Sequence, residues 1–368
     1  MKPAYIYLMA FAMMSSAIAQ TADRRFNDWD KNKDGRLTKS ELPEGPRRNF
    51  EKVDTNKDGF ISLQEHVLFL TRGQNRQRRQ PPPAVITGYA VKVNIPYAGS
   101  DNPRQMLDLA LPQKKSTKPR PVLAFIHGGG WRNGSKNGGL HRIQTYLQAG
   151  GYVGVSIGYR LTGEVQWPAQ IHDCKAAIRW LKANAKKYNL DPNRIAVHGT
   201  SAGGHLVAML GVTGGMTDME GQLGDHLKTD SRVACVVDYF GPTELLTMDD
   251  HPGKMKHNAM DSPESKLIGG AIQEHKDKTR HASPITHVSK DDAPILICHG
   301  TDDQLVPYPQ SVDFHAKLKK AGVDTTLITV NGAGHGLRGK RLEEIIKTFL
   351  ARHLMGKTTK VEDKTIPN

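Results

Sequence analysis

Short apolar runs separated by amphipathic stretches make up most of the chain from about residue 89 onward. Several runs, such as 122–126, are apolar throughout, as expected for strands buried on both faces of a sheet. The pattern predicts eight strands, at 89–95, 105–110, 121–126, 152–157, 194–198, 233–239, 294–298 and 324–330. Strands that alternate with helices form a mostly parallel sheet covered on both faces. The expected fold class is therefore α/β, with an eight-stranded, mostly parallel sheet.

The first residues of the chain have the pattern of a secretory signal peptide. Lys2 precedes an apolar stretch over 4–14, and the small residues of 17–19 offer a cleavage site. An uncleaved membrane anchor would need about 20 apolar residues. This stretch has eleven. We expect residues 1–19 to be removed as a signal peptide, which makes the mature protein secreted or periplasmic.

Two twelve-residue segments repeat at a spacing of 24 residues. Each reads D-x-N-x-D-G, followed by a hydrophobic residue, a hydroxyl residue and a final Glu, which is the pattern of the EF-hand calcium loop. Such a loop surrounds Ca²⁺ with oxygens from positions 1, 3, 5, 7, 9 and 12, position 7 through its backbone carbonyl and position 12 through both carboxylate oxygens. The expected ligand positions are Asp30, Asn32, Asp34, Arg36, Thr38, Glu41, Asp54, Asn56, Asp58, Phe60, Ser62 and Glu65.

The repeat predicts a small all-α EF-hand domain over 20–70 that binds two structural Ca²⁺ ions. Leu37 and Ile61 should pair as a short two-stranded contact between the loops. Two alternatives stay open, a degenerate pair that no longer binds metal and a dockerin-like module that binds a partner domain. Glu at position 12 of both loops favours the EF-hand.

A stretch without apolar periodicity, residues 71–84, separates the repeat from the α/β pattern. It is rich in Arg and ends in a triple proline, which favours an extended, semi-rigid spacer. We therefore expect an Arg/Pro-rich linker over 71–84, a larger domain over 85–356 and a C-terminal tail over 357–368.

The net charge of +14 does not by itself indicate nucleic-acid binding. Residues 21–70 hold ten basic and ten acidic side chains, residues 71–80 add four arginines, and the remaining excess is dispersed. A dispersed excess favours solubility and attraction to anionic surfaces or polymers. No nucleic-acid-binding motif accompanies it. We therefore expect no nucleic-acid partner. No apolar run long enough to span a membrane follows the N-terminal stretch, so we expect no membrane span after removal of the signal peptide. The oligomeric state is left open.

Two glycine motifs follow predicted strands of the larger domain. Gly199–Gly203 reads G-x-S-x-G between the strand 194–198 and an apolar helical stretch, which is the context of a nucleophile elbow that exposes Ser201. His127–Trp131 reads HGGGW directly after the strand 121–126, and its glycines let backbone N–H groups approach a developing oxyanion. Together the motifs indicate nucleophilic acyl transfer.

A carboxylate and a histidine follow the last two predicted strands. Asp303 lies just beyond 294–298 and His335 just beyond 324–330. In serine hydrolases a histidine takes the serine proton, while a carboxylate fixes its tautomer and stabilises the imidazolium. From the residues alone, Asp302 competes with Asp303 for the acid role.

The stretches HGGGW, DPNRIAVHGTSAGGHLVAMLG, APILICHGTDDQLVPYPQS and GAGHG carry a family resemblance. Residues 85–355 resemble α/β-hydrolases of the acetylxylan/feruloyl esterase type, close to the hormone-sensitive-lipase group. The resemblance implies a Ser201, Asp303 and His335 triad, because the family's H-G-x-x-D-x-x-V-P spacing selects Asp303 over Asp302. It also implies that the backbone amides forming the oxyanion hole belong to Gly129, Gly130 and Ala202.

The expected function is that of a secreted serine carboxylesterase that cleaves short-chain or aromatic acyl esters from polysaccharide. A lipase or small-ester hydrolase remains an alternative. So does a calcium-dependent binding module on an inactive hydrolase fold. Trp131 and Trp167 are expected to line the substrate site, although a core role fits them equally well. Catalysis should need no cofactor, because a triad activates its nucleophile without metal.

Overall fold

The computed structural model describes residues 25–69, 85–251 and 253–368. The chain divides into two compact units, Met1–Pro82 and Pro83–Asn368. The expected signal peptide over 1–19 and linker over 71–84 lie outside the described residues.

The N-terminal unit is built around its two loops. The strand β1 (Arg36–Leu37) pairs antiparallel with β2 (Ile61–Ser62), and Leu37 lies opposite Ile61 as predicted. Residues 25–29 and 63–69 are helical, and two short helices lie between the loops, α1 (Glu44–Arg47) and α2 (Phe50–Val53). Both strands contribute to a small core, which also contains Phe26, Leu42, Phe50 and Val53.

The C-terminal unit is a nine-stranded sheet in the order β11-β10-β9-β8-β7-β5-β6-β4-β3. The strand β4 is antiparallel to both neighbours, and the other pairs are parallel. The strands are β3 Tyr89–Pro96, β4 Met106–Pro112, β5 Arg120–Ile126, β6 Val153–Ile157, β7 Leu190–Thr200, β8 Cys235–Tyr239, β9 Ile295–Gly300, β10 Thr325–Asn331 and β11 Lys364–Pro367. The strands β3 to β10 match the eight predicted strands.

The predicted count of eight strands is wrong by one, because β11 lies in the expected C-terminal tail. This strand pairs parallel with β10 at the edge of the sheet. Its only buried residue is Ile366, so no apolar run or alternation marks it in the sequence.

Helices cover both faces of the sheet. Ile171 of α4, Leu206 of α6 and Phe314 of α10 belong to the core on one face, and Leu147 of α3 and Leu350 of α11 belong to the core on the other. The helices are α3 Gly139–Gly150, α4 Ala169–Ala183, α5 Ala185–Tyr188, α6 Ala202–Val212, α7 Thr217–Glu220, α8 Pro263–Ile268, α9 Lys276–His281, α10 Pro309–Lys320 and α11 Lys340–Met355, with 3-10 turns at Leu245–Asp250 and Pro284–His287. No helix in the described part of the chain is long and apolar enough to cross a bilayer.

The order of the parallel strands brings distant loops together. The strands β5, β7, β8, β9 and β10 are successive neighbours in the sheet. Ligand sites of open α/β sheets lie outside the carboxyl ends of the strands. HGGGW follows β5, Ser201 follows β7, Asp303 follows β9 and His335 follows β10. All four therefore lie at the carboxyl ends of the parallel strands.

Candidate active site

Ser201 occupies the sharp turn between β7 and α6, with φ 57° and ψ −124°. A non-glycine residue with positive φ is strained and persists only where its surroundings hold it. The Ser201 N–H donates to the Tyr239 carbonyl at 2.9 Å. A Cβ on Gly199 would collide with the Gly203 carbonyl, and one on Gly203 with the Ile126 carbonyl. Both positions therefore require glycine, as the elbow motif predicts.

Asp303 and His335 form a direct pair. His335 Nδ1 lies 2.7 Å from Asp303 Oδ2. A carboxylate only accepts hydrogen bonds, so Nδ1 carries the proton and Nε2 is left to accept one. Asp302 is exposed and accepts instead from the Thr301 hydroxyl at 2.8 Å. The structure thus brings Asp303, and not Asp302, to the histidine.

A second histidine, His299, contacts the same carboxylate. Its Nε2 lies 3.2 Å from Asp303 Oδ2 and 3.0 Å from the Val306 carbonyl. Both neighbours are acceptors, so Nε2 carries the proton. Motif analysis missed this role, although His299 opens the H-G-x-x-D stretch and that position is the available signal.

The Asp303 carboxylate is held in its ionised form. Its Oδ1 accepts from the backbone N–H groups of Leu305 at 2.8 Å and Val306 at 3.1 Å. Burial raises the pKa of Asp303, but the hydrogen bonds from His299 and His335 outweigh it and hold that pKa well below its ordinary value. The carboxylate can therefore accept the His335 hydrogen bond in its ionised form at neutral pH.

The predicted oxyanion-hole residues border the same cavity as Ser201 and His335. This cavity has a volume of about 1150 Å³, and its wall includes Gly129, Gly130 and Ala202. The Gly129 carbonyl accepts from the N–H of Asn133 at 3.0 Å, within the loop. In a trans peptide C=O and N–H point in opposite directions. The Gly130 N–H therefore points away from the loop interior.

Trp131 borders the cavity but its side chain is buried. The indole N–H donates to His205 Nδ1 at 3.2 Å, and His205 Nε2 lies 2.6 Å from the Ala282 carbonyl. Burial lowers the pKa of His205 to about 4, so the ring is neutral at pH 7 and donates from Nε2. Trp131 thereby joins the HGGGW loop to α6, the helix that follows Ser201.

The prediction that Trp167 lines the same site is corrected by the structure. Trp167 borders a separate depression of about 640 Å³ that does not include Ser201. Its indole N–H donates to His281 Nδ1 at 2.8 Å, and its backbone N–H donates to the Leu267 carbonyl at 2.9 Å. These contacts fix the ring at a depression separate from the Ser201 cavity.

Asp238, a fully buried residue of β8, lies beneath the nucleophile helix. Its Oδ1 accepts from the Gly241 N–H at 2.9 Å, and Oδ2 has no hydrogen-bond partner among the described residues. A Cβ on Gly204, in the first turn of α6, would overlap Oδ1. Burial raises the pKa of Asp238 to about 7. No motif marks this residue in the sequence.

The two loops of the N-terminal unit fit a calcium ion. Position 6 of each loop is glycine with positive φ, 76° at Gly35 and 84° at Gly59. Asp54 Oδ1 is buried without a hydrogen-bond partner in the described structure, as expected of an oxygen reserved for a cation. Glu65 accepts from the N–H groups of Thr55 at 2.8 Å and Ser62 at 3.0 Å.

The carboxylate of Glu65, at position 12 of the second loop, is held in its ionised form. Burial raises the pKa of Glu65, but hydrogen bonds from Ser62 and Thr55 outweigh it and lower that pKa to about 2. Within residues 25–69, 85–251 and 253–368, no group of three or more His, Cys, Asp or Glu side chains is close enough to hold a metal. EF-hand loops also ligate calcium through Asn, hydroxyl and backbone oxygens. A group of His, Cys, Asp and Glu side chains alone does not represent such a site.

Comparison with known proteins follows the same division of the chain. The BD-FAE family model matches residues 107–318. The chain belongs to the BD-FAE family. A model described as TAP-like protein matches residues 273–365, and an EF-hand model matches 22–43 and 49–65. The expected family type and α/β-hydrolase fold, preceded by an EF-hand pair, are confirmed.

Relatives of this BD-FAE chain are named as esterases. Esterase LipC of Mycobacterium tuberculosis is 35% identical over 64% of this chain and 58% of its own length. The probable carboxylic ester hydrolase LipM of the same organism is 34% identical over 57% and 47%. The chain thus spans about half the length of these relatives.

Solved structures of carbohydrate and other esterases share the fold. The truncated form of a carbohydrate esterase from gut microbiota is 36% identical, with a TM-score of 0.69, over 74% of this chain and 99% of that one. Esterase 2 of Thermogutta terrifontis is 26% identical, with a TM-score of 0.58, over 75% and 96%.

The buried carboxyl of Asp238 predicts a pH dependence of stability. Its folded pKa of about 7 exceeds the ordinary 3.8, so the folded state binds the proton more tightly than the unfolded state. The free energy of unfolding of wild type, relative to Asp238→Asn, should fall by up to about 4 kcal/mol between about pH 4 and pH 7. Urea unfolding of both proteins across this range measures the difference. Asp302→Asn, at an exposed acid, is the control, and parallel curves for wild type and Asp238→Asn would contradict the prediction.

Proposed function

We propose that this protein is a serine carboxylesterase that works through an acyl-enzyme. The observation that carries the proposal is the convergence of Ser201, on its strained turn, with the His335–Asp303 pair and the oxyanion loop at one cavity. The names of the relatives support it. The rival hypothesis, a binding module on an inactive hydrolase fold, does not account for a histidine held 2.7 Å from an ionised carboxylate beside the serine.

The residues divide the reaction between them. Ser201 Oγ attacks the ester carbonyl carbon while its proton passes to His335 Nε2. The negative charge on the carbonyl oxygen is met by the N–H groups of Gly129, Gly130 and Ala202. The carbon–oxygen bond to the alcohol then breaks, and His335 gives its proton to the leaving oxygen. Water attacks the acyl-enzyme by the same steps and regenerates Ser201.

The proposed substrates are short-chain or aromatic acyl esters carried by polysaccharide. Apolar side chains of Phe240 and Leu305 line part of the cavity and suit an acyl group of modest size. A solved carbohydrate esterase aligns over 99% of its length with this chain. A lipase or small-ester hydrolase is the competing class. A preference for esters with acyl chains of twelve or more carbons over acetylated xylan and methyl ferulate would favour a lipase.

We further propose that the N-terminal unit binds two structural Ca²⁺ ions. Asp30, Asn32, Asp34 and Glu41 would hold one through side-chain oxygens, and Asp54, Asn56, Asp58 and Glu65 the other. Arg36 and Phe60 would each add a backbone carbonyl, while Thr38 and Ser62 would act through water. When bound, the ions supply stability to this unit by mass action, and no step of ester hydrolysis involves them.

Removal of the nucleophile tests the hydrolytic proposal. Ser201→Ala should lower kcat for a short-chain aryl acetate by about 10⁴-fold or more, because no other side chain forms the acyl-enzyme. Steady-state hydrolysis, followed by the release of the aryl alcohol, measures this. Ser116→Ala, at an exposed serine on the loop between β4 and β5, should retain wild-type kcat. Equal turnover by wild type and Ser201→Ala would refute the proposal.

Removal of the bidentate ligands tests the calcium proposal. Glu41→Gln/Glu65→Gln should bind Ca²⁺ at least tenfold more weakly, roughly the loss of one charge-assisted contact in each loop. Calcium titration by calorimetry on the full chain is the measurement. Glu51→Gln, at an exposed acid of the same unit, is the matched control.

Chelation should unfold the N-terminal unit and leave small-ester turnover nearly unchanged. All proposed metal ligands lie within residues 30–65, and the triad begins at Ser201, so no residue serves both sites. A large loss of turnover on adding chelator, reversed by calcium, would show instead that the metal controls catalysis.

A further inference from the structure

Three arginines line the cavity that holds Ser201. Arg132 follows the oxyanion loop directly, Arg142 lies on α3, and Arg338 follows His335 by three residues. All three are exposed. Their guanidinium groups make no hydrogen bond or ion pair with any residue in the described parts of the chain. They are therefore available to a ligand.

The acidic side chains at the same wall do not neutralise this charge. Glu264 is buried, with its Oε1 3.1 Å from His257 Nδ1. Glu343, on α11, is half-buried and is the remaining carboxylate among the cavity-lining residues. Three free guanidinium groups thus face one available carboxylate.

Two other depressions in the described part of this unit lack an unpaired guanidinium group. In the depression beside Trp167 the arginine is Arg160, whose guanidinium donates to both oxygens of Asp173 at 2.8 to 3.1 Å. A third depression, of about 400 Å³, is bordered by the acids Asp101 and Asp225. Unpaired guanidinium groups therefore distinguish the Ser201 cavity from these two depressions.

Two of the arginines, Arg338 and Arg142, belong to the loop of His335 or to a helix packed beside it. His335 protonates the leaving oxygen in the proposed reaction, and Arg338 belongs to the same loop. Arg142 is on α3, which packs against α11, the helix that begins two residues after Arg338. Residues of both helices, including Tyr146 and Leu342, continue the cavity wall. If His335 protonates the leaving oxygen as proposed, this part of the wall receives the alcohol of the substrate.

We infer that the alcohol part of the substrate carries a carboxylate, so that the substrate is an acyl ester of a uronic-acid-containing glycan. This inference rests on the proposed esterase function. Guanidinium groups bind carboxylates through two parallel, charge-assisted hydrogen bonds. Arg142 and Arg338 bind the uronate and place the neighbouring ester at Ser201. The net charge of +14 also draws a polyanionic chain toward the protein.

The test compares two soluble substrates with the full chain. One is an acetylated oligogalacturonide and the other an acetylated xylo-oligosaccharide without acidic groups. We expect wild type to have the higher kcat/KM for the anionic substrate. In Arg142→Gln/Arg338→Gln the ratio of anionic to neutral kcat/KM should fall about tenfold, as for the loss of a charge-assisted hydrogen bond at an open site.

A matched control removes the same charge outside the cavity. Lys340→Gln/Arg341→Gln changes two exposed residues next to the cavity whose side chains do not line it, so the ratio should stay at the wild-type value. Added NaCl should lower kcat/KM for the anionic substrate of wild type and leave the neutral one unchanged, because salt screens exposed charges.

Three results would overturn the inference. The first is an unchanged ratio in Arg142→Gln/Arg338→Gln. The second is an equal fall in the Lys340→Gln/Arg341→Gln control, which would assign the effect to overall charge. The third is a higher kcat/KM for a succinyl half-ester of a neutral sugar than for the acetylated oligogalacturonide. The succinyl ester carries its carboxylate on the acyl group. In all three cases wild type still hydrolyses esters. Absence of ester turnover that depends on Ser201 would refute the proposed function itself.

Discussion

The backbone of Ser201 is the constraint on which the catalytic unit depends. Its left-handed conformation costs on the order of 1–3 kcal/mol and must be held by the surrounding structure. Gly203 contacts the end of β5, and the Ser201 N–H bonds to the end of β8. The loop after β5 is held by the same turn, since a Cβ on Gly128 would lie 2.6 Å from the Thr200 carbonyl. One set of close contacts therefore fixes both Ser201 and the HGGGW loop.

Electrostatics then divides the roles of the buried acids and bases. Asp303 is ionised because four donors converge on its carboxylate, whereas Asp238 has one donor and a raised pKa. His205 is neutral because it is buried between an indole donor and a carbonyl acceptor. Among these groups, His335 is the one that accepts and donates the proton in the proposed reaction. The EF-hand loops lie elsewhere in the sequence, and no step of the proposed reaction requires the calcium that we propose for them.

Sequence analysis succeeded where a feature is local. Eight strands follow from apolar runs, and the pairing of His335 with Asp303 agrees with the spacing that the family resemblance implies. The strand β11 was missed because one buried residue, Ile366, makes no pattern. The contacts of Trp131 with His205 and of Trp167 with His281 join residues 74 and 114 positions apart. Spacing along the chain cannot predict such tertiary contacts, nor the unpaired state of Asp238, which arises from packing alone.

Covalent labelling tests most directly whether the fold activates Ser201. A fluorophosphonate reacts with an activated serine hydroxyl, whose oxygen displaces fluoride from phosphorus. Intact-mass measurement and peptide mapping of the full chain should find one adduct, on the peptide that contains Ser201. Protein unfolded in urea should not react, because the reactivity depends on the turn and on His335. An adduct on another residue, equal labelling of the unfolded chain, or no adduct on the folded protein would contradict the account.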